Sequence, residues 1–191
     1  MVIRKTTEQI QDLSLEHCKE IKLKENIPII IDYFPDSKLI ELIMKDLILH
    51  NWSNSYLSNV NAEMTEWNTI FSQRKVFQSW LNDIIGTKFG ISKGYKLDFY
   101  EMWFARYGKG DYTKVHNHIN SLYSFIFFLN SPEGSSPLVF TSSKTEIEPQ
   151  PGKLVLFPGC VYHHVPKNNC KNRVVLAGNI NINIGEMSKD E

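Results

Sequence analysis

The spacing of apolar residues in the first half of the chain predicts helices and one strand. The apolar run IPIIIDYF, residues 27–34, is bounded by Pro28 and Pro35 and predicts the strand. A helix is expected directly after it, with Asp36 or Ser37 as its cap. Apolar residues at helical spacing mark the buried face of this helix: Leu39, Leu42, Ile43 and Leu47.

A second helix is expected between residues 74 and 85. It carries a wide apolar stripe: Val76, Phe77, Trp80, Leu81, Ile84 and Ile85. Gly86 is expected to end it. The aromatic side chains of this stripe are interpreted as core.

After about residue 95 the apolar period changes to two, in short runs separated by turn residues. These runs predict strands over 97–107, 122–130, 153–157 and 173–182, and a hairpin from PLVFTS and KTEIEP. Residues 122–130 are apolar on both faces, which indicates a strand covered on both sides. Helices followed by many short strands predict an α+β domain built on an antiparallel barrel or jelly roll.

Composition restricts the possible classes of protein. The 191 residues suit one domain, and the net charge of +0 does not favour nucleic acid or an anionic membrane as a partner. No signal peptide and no run of about 20 apolar residues is visible, so no membrane span is expected. The odd cysteine count, Cys18, Cys160 and Cys170, predicts reduced thiols and a cytoplasmic protein.

Four of the six histidines fall in two clusters in the β half. In an extended KVHNHINS segment, His116 and His118 project to the same face and can share one metal ion. His163 and His164 are adjacent and face opposite ways in a strand, so at most one serves the same pocket. Taken alone, H-x-H also fits two surface histidines or a fragment of an HNH nuclease. The nuclease residues are dispersed over a longer motif, and the neutral charge also argues against it.

Arg173 opens the last predicted strand, on the face that otherwise carries Val175, Ala177 and Asn179. Small residues beside an arginine leave room for a ligand, and the guanidinium fork binds a carboxylate bidentately. The alternative is a surface arginine that pairs with an acidic side chain. Three imidazoles and a carboxylate receptor predict a metal with an anionic chelating ligand, and imidazole suits Fe, Zn, Cu and Ni alike.

Four segments carry a resemblance to a known family: RYGKGDYTKVHNH, SLYSFIFFLNSPEGSSPLVF, PQPGKLVLFPGCVYHHVPKN and NRVVLAGNI. They resemble the catalytic core of the Fe(II)/2-oxoglutarate-dependent dioxygenases, in the branch of prolyl-hydroxylase-like and bacterial and phage oxygenases. The resemblance implies a double-stranded β-helix, a cupin-like jelly roll, over residues 96–184. It also implies a single oxygenase domain over 1–191, in which 1–95 form a mainly helical support.

The resemblance also implies roles for individual residues. His116 and His163 match the first and distal iron ligands. Arg173 matches the arginine that grips the C5 carboxylate of 2-oxoglutarate, and Tyr107 matches a tyrosine that faces the cosubstrate. The departure is His118, where the family usually has Asp or Glu. His118 is interpreted as the third metal ligand. The alternative is that His116 and His163 bind alone, and Asp111 is a remote substitute carboxylate.

The implied function is an Fe(II)- and 2-oxoglutarate-dependent oxygenase that hydroxylates a C–H bond of a protein or small-molecule substrate. The alternative is a cupin-like three-His metalloprotein that acts without 2-oxoglutarate, as a dioxygenase or a binding module. Trp103, Tyr112 and Tyr123 are interpreted as core, with a substrate cleft as the other possibility. No pattern indicates the oligomeric state.

Overall fold

The chain folds into two antiparallel sheets supported by two helices. The computed structural model describes residues 26–54, 58–89 and 96–183. The helices are α1 (Ser37–Asp46), which a 3-10 turn (Leu47–Leu49) continues, and α2 (Arg74–Phe89). The strands are β1 (Ile30–Tyr33), β2 (Val60–Asn61), β3 (Glu63–Met64), β4 (Lys96–Tyr107), β5 (Tyr112–His116), β6 (Tyr123–Asn130), β7 (Leu138–Phe140), β8 (Thr145–Ile147), β9 (Lys153–Pro158), β10 (His163–Val165) and β11 (Arg173–Asn183).

The two sheets enclose an apolar core. The larger sheet has the order β1-β9-β6-β11-β4-β3, and the smaller one has the order β2-β5-β10-β7-β8. One apolar cluster joins side chains of both sheets, among them Val175 and Ala177 from β11 and Phe140 from β7. This arrangement confirms the predicted α+β class and the double-stranded β-helix, or jelly roll.

The other face of the larger sheet packs against the helices. Val174 and Leu176 of β11 belong to a second apolar cluster that includes Phe77 of α2. Phe77 is fully buried, and its ring lies 5.0 Å from that of Phe127 on β6. The predicted alternation along β11, the burial of β6 on both faces and the core role of the helical aromatics are therefore confirmed.

The first helix begins as predicted. The Asp36 carboxylate accepts a hydrogen bond from the Lys38 amide at 2.8 Å, which satisfies one of the amides left unpaired at a helix start. Leu39 and Ile43 are buried against the sheet, whereas Leu42 is half-buried. The strand predicted at 27–34 is confirmed as the shorter β1.

Two features of the first half differ from the prediction. Helix α2 continues through Gly86 to Phe89, because buried Ile84 and Ile85 hold its last turns against the core. This burial outweighs the roughly 1 kcal/mol that a helical glycine costs. Strands β2 and β3 were not predicted, since two residues each are too few to show an alternating pattern. The division of one domain at residue 95 stays a prediction, and Cys18 lies outside the described residues. No helix in the described ranges is long and apolar enough to cross a membrane.

The close approach of strands at Gly178 gives a test of the sheet packing. A Cβ added there would lie 2.6 Å from the Glu101 carbonyl oxygen and 2.6 Å from a ring carbon of Phe125. We expect Gly178→Ala to lower the free energy of unfolding by about 1–3 kcal/mol, because a strand must shift. Gly86→Ala is the control: its Cβ meets nothing within 4 Å, so we expect a gain of about 1 kcal/mol. Urea denaturation measures both, and equal stabilities would contradict the packing described.

Candidate active site

The three histidines predicted as metal ligands lie together at the ends of two neighbouring inner strands of the smaller sheet. His116 ends β5, His163 begins β10, and the two are direct antiparallel partners. His118 lies two residues beyond the end of β5. One ring nitrogen from each residue lies within 4.8 Å of the others, which suits a single metal ion that draws them together.

Backbone carbonyls orient two of the three imidazoles. Nδ1 of His116 lies 2.8 Å from the Lys114 carbonyl oxygen, and Nδ1 of His163 lies 3.0 Å from that of Val161. A proton on each Nδ1 satisfies the carbonyl and leaves the Nε2 lone pair free for a metal. The two rings are thereby prepared as Nε2 ligands.

His118 is positioned by its backbone rather than by its ring. Its amide donates to the Gly159 carbonyl at 2.7 Å, and its own carbonyl accepts from the Ser121 amide at 2.8 Å. A Cβ at position 159 would lie 2.5 Å from the His118 carbonyl oxygen and closer still to that of Ser121. Gly159 therefore lets the turn after β9 press against the loop that carries His118.

Burial keeps the three imidazoles in the form that binds metals. Loss of solvent, together with the charge of His116, lowers the pKa of His163 to about 3 and that of His118 to about 4. Burial also lowers the pKa of His116, although backbone hydrogen bonds partly oppose this. All three are neutral at pH 7.

The other candidates in these two segments lie away from the cluster. His164 faces the opposite side of β10, with Nδ1 3.2 Å from the Thr141 hydroxyl, as the strand alternation predicted. The Asp111 carboxylate accepts from the Gly108 amide at 2.7 Å within its own turn. The structure therefore does not support Asp111 as a substitute ligand.

A cavity lies beside the histidines between the two sheets, and we refer to it as the inner cavity. It is narrow, with a volume of about 30 Å³. The histidines share its wall with Tyr107 and with apolar side chains that include Leu138, Val165 and Val175. The prevalence of apolar groups keeps water away from a ligand bound there.

Arg173 lies behind this wall as a buried cation. It is 1% exposed, and its Nε donates to the Ser136 carbonyl at 3.1 Å. Its Nη1 is buried without a hydrogen-bond partner among the described residues. Burial lowers the pKa of the guanidinium, while Tyr107 and Cys170 raise it. The alternative of a surface arginine paired with an acid is wrong, because the side chain is buried and bonds a carbonyl.

Tyr107 connects Arg173 to the inner cavity. The two residues are direct partners on β4 and β11, and the guanidinium carbon lies 4.6 Å from the centre of the Tyr107 ring. The Tyr107 hydroxyl is 2.8 Å from that of Thr113 on β5. The ring thus fixes the plane of the guanidinium while its hydroxyl is held by the smaller sheet.

Several residues of the site were not predicted. Thr113 and Ser136 are isolated polar residues without a diagnostic spacing, so no sequence pattern marks them. Gly159 belongs to the Pro-Gly pair that ends β9. Its role beside His118 was not predicted, because the end of a strand already accounts for a Pro-Gly pair.

Comparison with protein families agrees with this site. Residues 102–181 match the model of the 2OG-Fe(II) oxygenase superfamily. The matched segment contains all three histidines, Tyr107 and Arg173. Over this segment the chain is similar to the Fe(II)- and 2-oxoglutarate-dependent oxygenases, which use Fe(II) as metal and 2-oxoglutarate as cosubstrate.

Solved structures share the fold at low sequence identity. The viral collagen prolyl hydroxylase of Paramecium Bursaria Chlorella virus-1, in its 2-oxoglutarate complex, superimposes with a TM-score of 0.64 at 17% identity, over 80% of this chain and 94% of that one. A Pseudomonas putida prolyl-4-hydroxylase gives 0.63 at 16%, over 81% and 92%. HygX from Streptomyces hygroscopicus, with nickel and 2-oxoglutarate bound, gives 0.61 at 11%, over 85% and 86%. No curated protein sequence matches the chain significantly.

The histidine cluster predicts how variants bind a metal. We expect His118→Ala to weaken Mn(II) binding at least about tenfold, because one of three nitrogen ligands is lost. Gly159→Ala should weaken it by about tenfold, since the added methyl group displaces the His118 backbone. Calorimetric titration of Mn(II) measures both, with Gly86→Ala as the control that leaves affinity unchanged. Unchanged affinity in His118→Ala would mean that His116 and His163 bind alone.

The lowered pKa values predict how the stability of the metal-free protein depends on pH. Below pH 6.5 the histidines of the unfolded chain become protonated, whereas His118 and His163 of the folded chain stay neutral down to about pH 3–4. The free energy of unfolding therefore falls as pH falls. We expect a loss of up to about 1.4 kcal/mol per pH unit for each imidazole kept neutral. Urea denaturation with chelator at pH 7, 6 and 5 measures it, and His163→Asn should flatten the slope. A stability that does not change over this range would refute the burial argument.

Proposed function

We propose that the chain is an oxygenase in which His116, His118 and His163 hold Fe(II) and Arg173 receives the far carboxylate of 2-oxoglutarate. The observation that carries the proposal is the buried Arg173 guanidinium, whose Nη1 has no hydrogen-bond partner in the described part of the chain. A buried cation without an anion is costly, and a bidentate carboxylate removes this cost. A dicarboxylate that chelates the metal at one end and pairs with Arg173 at the other satisfies both parts of the site.

The surroundings of Arg173 suit an anion of this kind. The Ser136 carbonyl occupies Nε, and Nη1, which has no partner among the described residues, is left for a ligand. The rings of Tyr107 and Phe128 lie 4.6 and 5.3 Å from the guanidinium carbon and hold its plane. Leu138 and Val175 keep water from the pair, which strengthens the charged contact.

The bound groups supply the redox chemistry. When bound, Fe(II) and 2-oxoglutarate would supply the oxidative chemistry by which dioxygen turns a substrate C–H bond into C–OH, with succinate and carbon dioxide as coproducts. The protein positions the metal through His116 and His163, holds the cosubstrate through Arg173 and Tyr107, and excludes water. His118 in place of an acid leaves the metal unit one charge more positive than the usual triad does.

The proposal extends to location and partners. Free thiols at Cys160 and Cys170 support a cytoplasmic location. Prolyl hydroxylases occur among the structures that share the fold, so a polypeptide substrate is one option beside a small molecule. Fold likeness alone does not choose between them.

A second candidate function rests on His118. A neutral three-His set also suits a cupin-like metalloprotein that acts without 2-oxoglutarate. The unpartnered Nη1 of Arg173 argues for the first candidate, because such a protein has no need of a buried cation beside the metal.

Binding of the cosubstrate separates the two candidates. We expect the Mn(II)-loaded protein to bind 2-oxoglutarate, and Arg173→Met to weaken this binding by about a hundredfold, because a buried charge pair is lost. Calorimetry measures it. Arg106→Met is the control: Arg106 lies on the same sheet but pairs with exposed Glu63 at 2.7 Å, so its loss leaves binding unchanged.

Activity provides the second measurement. With added Fe(II) we expect oxygen-dependent formation of succinate from 2-oxoglutarate, lost in His163→Ala. Metal-loaded protein that binds no 2-oxoglutarate, or binds it equally after Arg173→Met, would favour the 2-oxoglutarate-independent candidate.

A further inference from the structure

A second, wider cleft opens in front of the histidines, and we refer to it as the outer cleft. Its volume is about 380 Å³. Trp103, His116 and His118 line both the inner cavity and the outer cleft. A molecule in the outer cleft therefore reaches the metal position. It approaches from the side opposite to Arg173, where the cosubstrate is proposed to bind. The outer cleft is thus the place where a substrate is expected.

The outer cleft contains one acidic side chain, Glu101, and neither lysine nor arginine among its described lining residues. Its other polar groups are Ser58, amides that include Asn59 and Asn117, and the neutral histidines. The inner cavity has the opposite character, with the Arg173 cation behind it. The two sides of the metal position thus favour ligands of opposite charge.

A buried asparagine, Asn179, holds the Glu101 carboxylate in a fixed orientation. The Asn179 amide donates to its carboxylate at 2.6 Å, and the Asn179 oxygen accepts from the Ser124 hydroxyl at 2.7 Å. Asn179 and Ser124 are each 2% exposed. A carboxylate has about four acceptor positions, and this contact uses one of them, so Glu101 retains capacity for a donor from a ligand.

Two tryptophans form an aromatic wall beside this carboxylate. Trp103 lies two residues after Glu101 on β4 and so faces the same side of the strand. Its ring lies 4.9 Å from that of Trp67, edge to face. The Trp67 carbonyl accepts from the Met102 amide at 2.8 Å, which anchors the Trp67 backbone along β4. Tryptophan attracts cations and covers methylene groups.

We propose that the outer cleft binds a substrate with an ammonium group, which Glu101 receives while the aliphatic stem lies against Trp67 and Trp103. A C–H bond of that stem then faces the metal position between His116 and His118. This inference rests on the proposed function, because the hydroxylation uses the same metal and cosubstrate.

The reaction balances with the cosubstrate already named. One atom of dioxygen enters a C–H bond of the stem and gives C–OH, with the hydrogen retained in the hydroxyl group. The other atom enters succinate as 2-oxoglutarate loses carbon dioxide, and this oxidative decarboxylation supplies the two electrons that dioxygen still requires.

Binding of matched probes to the Mn(II)- and 2-oxoglutarate-loaded protein tests the inference. The probes are a blocked tripeptide with lysine at its centre, the same tripeptide with norleucine, and free L-lysine. We expect the lysine tripeptide or free lysine to bind at least about tenfold more tightly than the norleucine tripeptide, which has the stem without the charge. Preference for the tripeptide identifies a polypeptide substrate, preference for free lysine identifies a small amine, and either supports the proposal.

The Glu101→Gln variant assigns the effect to one residue. We expect it to weaken binding of the lysine probe by about ten- to a hundredfold and to leave binding of the norleucine probe unchanged. The reason is that the glutamine amide keeps the shape of the glutamate side chain and loses its charge. Glu146→Gln, on exposed β8, is the matched control with no effect.

Mn(II) and 2-oxoglutarate affinities, measured on the same variant, show that the site is intact and separate this test from that of the proposed function. The inference is overturned if lysine and norleucine probes bind alike, if no ammonium probe binds protein that holds both Mn(II) and 2-oxoglutarate, or if Glu101→Gln changes nothing.

Discussion

The antiparallel pairing of His116 with His163 is the contact on which the site depends. It joins β5 to β10, two inner strands of the smaller sheet, and places two imidazoles 4.3 Å apart between ring centres. The loop that carries His118 is held against the turn at Gly159. A change in the register of β10 by one residue would turn His163 outward and His164 inward, since side chains alternate along a strand.

The charged groups of the site lie on either side of the His116–His163 pair. Arg173 is a buried cation on the inner side, the histidines are neutral in the middle, and Glu101 is the acidic group of the outer cleft. Each charge is held by neutral partners, Ser136 for the arginine and Asn179 for the glutamate. Such an arrangement leaves both charges available to ligands.

The elements that could be predicted are those with a strong period. Strands β4, β6, β9 and β11 follow from alternation or continuous apolar runs over five or more residues. The end of α2 could not be predicted from Gly86, because tertiary packing outweighed a local preference. Two-residue β2 and β3 carry no period and are recognised through the strands they pair with.

The candidate site likewise has features that the sequence predicted and features that it did not. The sequence by itself determined the two histidine clusters, the placement of His116 and His163 in strands and the prediction of Arg173 as a carboxylate receptor, because residue type and alternation suffice for these. The tertiary structure decided that His118 joins the cluster, that Arg173 is buried without an acid, and that Glu101 faces the cleft beside Trp67. These features depend on contacts between segments distant in sequence, which no local pattern encodes.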